Sequence, residues 1–478
     1  MKFRHLIALL LSCVAGAFAE GLPDLGEVAQ SALTPLQERR LGENIMREIR
    51  ADRSFFDDAE ATDYINSLGY RLASVSPDAR QSFEFFLIQD GQINAFALPG
   101  GFVGVNTGLI LTAQNESELA SVLAHEIAHV TQRHIARMVA QQQQSQLTTL
   151  AGLALAILAS RYDSQLGQAA FAATQAGAIQ SQLNFTRDNE READRVGLQI
   201  LQQAGFDVRA MPVFFERMQR AYRVYETSAP AYLRTHPLEY QRIADMQDRV
   251  QAMPYRQVLD SVEFQLIRAK LRATVGNPRE AVGFFEESLT ERKYTSEAAI
   301  RYGLAASLTR TKGYARAERE LAALRKLVAA SPIVETLAAQ LKIAAGQTAA
   351  ALAHYREALK RYPNYRALVY DYANALLENR QPEQALRLVE DRLQFATGDH
   401  RLYLLQARSY AALNKRLLQH KAQAEAYVRM GNVSAAVEQL QIALKSGDGD
   451  FYQLSSVEAR LKELRRLDEE QRKESGKR

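Results

Sequence analysis

The sequence predicts a mainly α-helical protein of two parts, a helical domain with a small β-sheet followed by an α-solenoid. Two observations lead to this fold class. Strand-like composition is confined to residues 83–110, which are rich in Phe, Val and Ile and are interrupted by turn residues. In the second half of the 478-residue chain, similar anchor positions from Gly276 to Arg380 recur every 33 to 37 residues, which is typical of stacked helical pairs.

Residues 1–19 have the organisation of an export signal. A basic start precedes an apolar run over residues 6–18, and the sequence Ala-Phe-Ala at its end matches the A-x-A cleavage pattern. We therefore predict a signal peptide that is cleaved after Ala19 and a location in the periplasm. The alternative is a lipoprotein anchored through Cys13.

Composition excludes several classes of function. Cys13 is the only cysteine, so the mature chain has no disulfide, no thiol chemistry and no cysteine-based zinc site. The formal net charge is only +4 and no basic patch stands out, which predicts no nucleic-acid partner. The apolar run 147–160 is too short to span a bilayer. It is predicted to be a buried helix or, alternatively, a flap that touches the membrane or covers a site.

The helix predicted over residues 116–130 carries the first chemical motif, His-Glu-x-x-His. His125 and His129 lie one turn apart on the same face, so their imidazoles can hold one metal ion. Glu126, next to the first histidine, can serve as general base toward a water molecule there. The alternative is a pair of surface histidines on an amphipathic helix. A catalytic site also needs a third protein ligand.

A second predicted helix, residues 185–206, supplies the third ligand. Glu190 and Asp194 are four residues apart and share one helix face, whereas Glu192 points elsewhere. We predict that Glu190 binds the metal and that Asp194 accepts a hydrogen bond from the far nitrogen of His125. The alternative is a solvated acidic stretch among arginines.

The strand-like stretch 83–110 directly precedes the metal helix. Its segment Asn94, Ala95 and Phe96 is a candidate edge strand that binds an extended substrate through backbone hydrogen bonds. The alternative is a sheet that only supports the helix.

Together these motifs resemble the peptidase family of the heat-shock membrane protease and the CAAX prenyl endopeptidase. The resemblance rests on NAFALPGG (94–101), HEIAH (125–129), NEREAD (189–194) and THPLEYQRI (235–243). It implies a zincin-like domain with one Zn²⁺ per chain. It also implies that Glu190 is a metal ligand, that Asp194 supports a ligand from behind and that Glu126 is the general base. Unlike the membrane-embedded members, this chain has no predicted spanning helix after its signal, so it resembles the exported branch.

His236 precedes Pro237, so its backbone is predicted to be extended. Its side chain could donate to the oxyanion of a tetrahedral intermediate. It could instead fill the fourth position on zinc and hold the enzyme off, a switch that the resemblance to the periplasmic branch implies. The third alternative is a structural turn histidine.

The second half is predicted to contain tetratricopeptide repeats. Gly276, Gly346 and Gly431 are each followed five residues later by alanine, and Arg380 stands in the same relation to Ala385. In the remaining unit the glycine, Gly313, is only four residues from its alanine. The alternative is an irregular helical domain.

These predictions combine into one hypothesis. Residues 1–19 are the signal, 20–255 the zinc metallopeptidase and 256–478 the repeat domain. The chain is then a periplasmic zinc endopeptidase. The resemblance implies that it assists outer-membrane protein assembly and degrades misfolded barrels, with unfolded or assembling outer-membrane proteins and envelope assembly machinery as partners. The alternative is a scaffold or chaperone whose protease is normally silent.

Overall fold

The computed structural model describes residues 33–78, 81–141, 187–224, 231–238 and 240–476. The predictions for the signal peptide, for Cys13 and for the apolar run 147–160 lie outside the described residues. Among the described residues, no helix is both long enough and apolar enough to cross a membrane.

The first part consists of helices around one small sheet. Its elements are α1 (Pro35–Ala51), α2 (Ala59–Ala73), β1 (Glu84–Ile88), β2 (Ala95–Leu98), β3 (Phe102–Asn106), α3 (Thr107–Thr112), α4 (Glu116–Thr131), α5 (His134–Gln141), α6 (Arg187–Gln203), α7 (Ala210–Val224), α8 (Ala231–Thr235) and α9 (Tyr240–Gln251). The predicted fold class, mainly α-helical with a small sheet, is confirmed.

The sheet has the strand order β1-β3-β2, with β3 parallel to β1 and antiparallel to β2. Every residue of the central strand β3 is buried. Position 104 in β3 has no room for a side chain larger than that of glycine. A Cβ there would lie 2.4 Å from the ring of Phe96 and 2.8 Å from that of Phe86. Strand β2 forms one edge of the sheet and contacts helix α4.

The metal helix α4 is a central buried helix. Asn115 caps it by accepting a hydrogen bond from the amide of Glu118. All residues from 116 to 129 are buried. Helix α6 packs closely across α4, because a Cβ on Gly197 would lie only 3.2 Å from the Cα of His125. This contact brings the acidic face of α6 against the two histidines and excludes the alternative of a surface pair.

The second part is a series of antiparallel helices. They are α10 (Val262–Thr274), α11 (Pro278–Glu291), α12 (Glu297–Arg310), α13 (Tyr314–Leu324), α14 (Pro332–Ala344), α15 (Thr348–Arg361), α16 (Arg366–Glu378), α17 (Pro382–Leu393), α18 (His400–Ala412), α19 (Arg416–Arg429), α20 (Val433–Leu444) and α21 (Phe451–Gly476). The solenoid is confirmed.

Left-handed residues mark the turns of this solenoid more regularly than glycines do. The turns within successive helix pairs have positive φ at Gly276, Lys312, Gly346, Arg380, Asn414 and Gly447, which lie 33 to 36 residues apart. In the second pair the left-handed residue is Lys312 and not Gly313. Lys312 lies five residues before the buried Ala317, so this pair has the same five-residue spacing as the others. Gly431 lies between α19 and α20, at the junction of two pairs.

The two parts share one hydrophobic core. The largest buried cluster includes residues of α2 and α4 and continues through α10 and α12 to α14. A polar junction adds to it: Lys270 of α10 donates to Glu60 at 2.7 Å and to Asp58 at 2.8 Å. Glu60 also accepts from the hydroxyl of Tyr365 at 3.1 Å. The first repeat helix is thus fixed to the start of α2.

Lys270→Met should destabilise the chain by about 3 kcal/mol, because it leaves the buried carboxylate of Glu60 without its cation. Midpoints of urea unfolding measure the effect. Adding Glu60→Gln to Lys270→Met should recover part of the loss, since the amide carries no charge. Lys293→Ala, which breaks an exposed ion pair with Glu291, is the control and should change stability by less than about 0.5 kcal/mol. Equal midpoints for Lys270→Met and wild type would contradict this account.

Candidate metal centre

Four buried side chains converge between α4, α6 and the end of α8. Ligand atoms of His125, His129, Glu190 and His236 all lie within 4.8 Å of one another. The Nε2 atoms of the two α4 histidines are 3.0 Å apart, and each lies about 3.5 Å from a carboxylate oxygen of Glu190. Nδ1 of His236 is 3.0 Å from Oε1 of Glu190.

This group fits a metal ion on its chemistry. Nitrogen atoms that crowd at hydrogen-bonding distance, with a carboxylate between them, form the donor set of a tetrahedral site. Burial lowers the pKa of His129 to about 3, so this imidazole is neutral, as a ligand must be. Burial raises the pKa of Glu190, but the neighbouring histidines outweigh that effect and hold it well below its usual range. His125, His129 and Glu190 could therefore hold the metal, with His236 beside them.

Asp194 lies directly behind His125. Its Oδ1 is 3.0 Å from Nδ1 of His125, so the Nε2 of this histidine is turned toward the cluster. Burial alone would lower the pKa of His125, but Asp194 and Glu190 raise it to about 9. The four-residue spacing on α6 thus places one carboxylate within the cluster and the other behind it.

Arg242 of α9 compensates these two carboxylates, and the sequence analysis did not single it out. Its guanidinium donates to both oxygens of Asp194 at 2.8 Å and lies 2.7 Å from Oε2 of Glu190. It also donates to the carbonyl of Pro237 at 2.7 Å, which holds the segment that carries His236. The signal was available, because Arg242 lies within the motif 235–243.

Glu126 is fully buried beside the cluster. Neither of its carboxylate oxygens makes a close hydrogen bond among the described residues, although the backbone of Ala97 is near enough to favour the charged form of Glu126. Its Oε1 lies 3.5 Å from Nε2 of His236. Burial raises the pKa of Glu126, and the nearby His236 and His125 only partly offset this. A carboxyl group with a raised pKa is suited to accept and return a proton.

His236 follows α8, and its ring stacks on that of Tyr232 with centroids 4.7 Å apart. Both residues are buried. Its two nitrogens face different partners: Nδ1 faces the cluster and Nε2 faces Glu126. Tyr232 and His134, which contacts His129, are two further residues that the sequence analysis missed.

The predicted edge strand lies beside this site. The backbone of Ala97 in β2 lies close enough to Glu126 to lower the pKa of that carboxyl group, against the larger effect of burial. Ala95 and Phe96 are buried, and the ring of Phe96 packs against Phe86 with centroids 5.9 Å apart. Asn94 is also buried, and its carbonyl accepts from the amide of Asn106 at 3.0 Å. The side chains of Asn94, Ala95 and Phe96 are thus occupied in the core, which leaves the backbone of this segment as its candidate contact to an extended substrate.

A His-Glu-x-x-His helix crossed by a glutamate-bearing helix, with a small sheet alongside, defines a metallopeptidase. The chain belongs to peptidase family M48: the model of that family matches residues 59–250, and a tetratricopeptide repeat model matches residues 342–409. The family assignment is supported over nearly the whole chain by curated relatives.

These relatives include bacterial and mitochondrial proteins. The chain is 35% identical over 481 residues to the beta-barrel assembly-enhancing protease of Escherichia coli (strain K12), covering 98% of this chain and 97% of that protein. It is 41% identical over 336 residues to a putative beta-barrel assembly-enhancing protease of Vibrio cholerae, covering 68% and 69%. The mitochondrial metalloendopeptidase OMA1 of Schizosaccharomyces pombe is 32% identical over 214 residues, covering 44% and 60%.

We expect one divalent metal ion per chain, and we expect His125→Ala, His129→Ala and Glu190→Ala each to lose it. Each change removes one donor atom from the cluster. Glu126→Gln should keep the metal, because its carboxylate is not among the converging donors. Elemental analysis of the purified variants after dialysis measures this. Full metal content in Glu190→Ala would refute the ligand set.

Proposed function

We propose that the chain is a zinc-dependent endopeptidase in which His125, His129 and Glu190 hold the metal and Glu126 is the general base. One observation carries this proposal, the buried convergence of the three ligands with the carboxyl group of Glu126 beside them. Zinc bound there would act as a Lewis acid toward water and the substrate carbonyl.

The protein's own groups perform the proton transfers. Glu126 accepts the proton of the attacking water and delivers it to the leaving amine. Its raised pKa favours the first step, because a weakly basic carboxylate would accept the proton of water poorly. The backbone of β2 binds the peptide in an extended form beside α4. Asp194 and Arg242 hold His125 and Glu190 in place, since each contacts its partner within 3.0 Å.

We further propose that His236 is a fourth zinc ligand in the resting enzyme. Its Nδ1 lies 3.4 Å from Nε2 of His125 and 3.0 Å from Oε1 of Glu190, on the same side as the other donors. A fourth protein ligand would occupy the position that water needs, and displacement of His236 would open the site. An oxyanion donor would have to lie beside a bound carbonyl instead of among the ligands.

The relatives support a role in the cell envelope. Because two bacterial relatives are named for enhancing β-barrel assembly, we propose that this chain assists outer-membrane protein assembly and degrades misfolded barrels. Residues 1–19 direct export and are removed after Ala19, and the mature protein acts in the periplasm. Residues 20–255 form the protease, and residues 256–478 bind unfolded or assembling outer-membrane proteins and the assembly machinery.

Glu126→Gln should lower proteolysis by about a hundredfold or more, because the general base is lost while the ligands remain. The measurement is turnover of an unfolded model protein by purified zinc-loaded enzyme. Unchanged turnover would refute the role of Glu126. If the wild type also proves inactive but still captures unfolded outer-membrane proteins, the alternative of a scaffold with a silent protease is supported.

His236→Ala should raise turnover at unchanged zinc content, because it removes the fourth ligand and leaves the three others in place. Enzyme stoichiometrically loaded with zinc is compared with wild type in the same assay. A loss on the order of a hundredfold at full zinc occupancy would instead identify His236 as the oxyanion donor.

A further inference from the structure

His129 has a polar partner on the side away from the proposed metal. Its Nε2 faces the cluster, 3.0 Å from Nε2 of His125. Its other nitrogen, Nδ1, lies 2.7 Å from Nδ1 of His134. The two rings are steeply inclined, with centroids 4.8 Å apart and planes at 77°, which suits an in-plane hydrogen bond better than stacking.

His134 continues to a carboxylate. Its Nε2 lies 3.3 Å from Oε2 of Glu192, and that oxygen accepts a hydrogen bond from Arg137 at 2.8 Å. His134 is fully buried, whereas Glu192 and Arg137 are partly exposed. A polar chain therefore leads from a buried ligand to an ion pair at the surface.

The proton positions along this chain follow from its two ends. If Nε2 of His129 binds a metal, the proton of that neutral imidazole is on Nδ1 and can only be donated. Nδ1 of His134 must then be the acceptor, which leaves the proton of His134 on Nε2. That proton points at Oε2 of Glu192, a carboxylate oxygen that also accepts from Arg137. All the hydrogen bonds are thus compatible with a single arrangement.

The backbone is arranged to allow this contact. Residues five apart in a continuous helix lie about 140° apart around the axis and cannot face each other. Helix α4 ends at Thr131, and Arg133 adopts a left-handed conformation with φ of 53° before α5 begins. The guanidinium of Arg133 donates to the carbonyl of Leu33 at 2.6 Å and to Glu38 at 3.1 Å. This held turn brings His134 back toward His129.

We propose that His134 is a positioning residue that accepts a hydrogen bond from His129 and holds the Nε2 of that ligand toward the metal, with Glu192 supporting His134 from behind. The inference rests on the proposed metal-binding function. The two α4 ligands are then oriented in different ways. His125 contacts the carboxylate of Asp194 directly, whereas His129 contacts His134, which in turn contacts the carboxylate of Glu192.

The test is zinc affinity of the full mature chain, measured by competition with a chelating indicator, together with the visible spectrum of the Co²⁺ form. His134→Leu keeps much of the volume and removes the acceptor, so zinc affinity should fall about 10- to 100-fold and the Co²⁺ bands should shift. His134→Asn places an amide oxygen near the position of Nδ1 and should recover affinity to within about threefold of wild type.

Two further variants separate folding from positioning. Because Glu192 is partly exposed, Glu192→Gln leaves the core intact. It should lower zinc affinity by a smaller factor than His134→Leu does. His354→Leu, which changes a histidine far away in α15, should leave affinity and spectrum unchanged. Thermal unfolding of the metal-free proteins checks that all variants fold.

Several results would overturn the inference. Wild-type affinity in His134→Leu would do so, and so would an equal loss in His134→Leu and His134→Asn, since that pattern indicates packing and not acceptance of a hydrogen bond. Absence of zinc binding in the wild type would be a failure of the proposed function itself. Normal binding by wild type together with normal binding by His134→Leu would refute this inference alone.

Discussion

Arg242 is the buried cation on which the arrangement of the metal centre depends. Helix α6 carries two carboxylates, Glu190 and Asp194, into a core where each is at most 2% exposed. Uncompensated charges there would each cost several kcal/mol. One guanidinium reaches both carboxylates and the carbonyl of Pro237, so the same side chain neutralises α6 and fixes the segment that bears His236. Helices α6 and α9 are thereby held at one relative position, and the donors on α4 meet them there.

The supports of the proposed ligands all come from elements other than α4. Asp194 lies on α6, Arg242 on α9, and His134 begins α5 after a left-handed residue. This separation suits a site that must be rigid, because the orientation of each imidazole is set by a neighbour whose own position is fixed by packing.

The repeat array is joined to the protease by a second buried network. Lys270 lies between Asp58 and Glu60 at the start of α2, and α2 also packs against α4 through the common core. The first repeat helices therefore share a core with helix α4. Such a continuous core is a physical route by which the two parts can influence each other, and the proposed domain boundary near residue 256 is therefore not a boundary in packing.

The sequence by itself determined the elements and their chemical faces. Residues four apart on a helix share a face whatever the tertiary structure, so the pairs His125 with His129 and Glu190 with Asp194 could be predicted from spacing. The strands within 83–110 and the repeat period could likewise be predicted from local sequence.

Only the tertiary structure decided which faces meet. The contact of Arg242 with Asp194 joins residues 48 apart in sequence, and that of His236 with Glu190 joins residues 46 apart. The contact of His134 with His129 depends on the left-handed backbone of Arg133. Arginine rarely adopts that conformation, so the sequence gives no signal for this turn. Lys312 likewise takes a position that glycine holds in other repeats. Periodicity fixes the direction of a side chain relative to its own helix or strand. Which side chains of different elements come into contact is fixed by the packing of those elements.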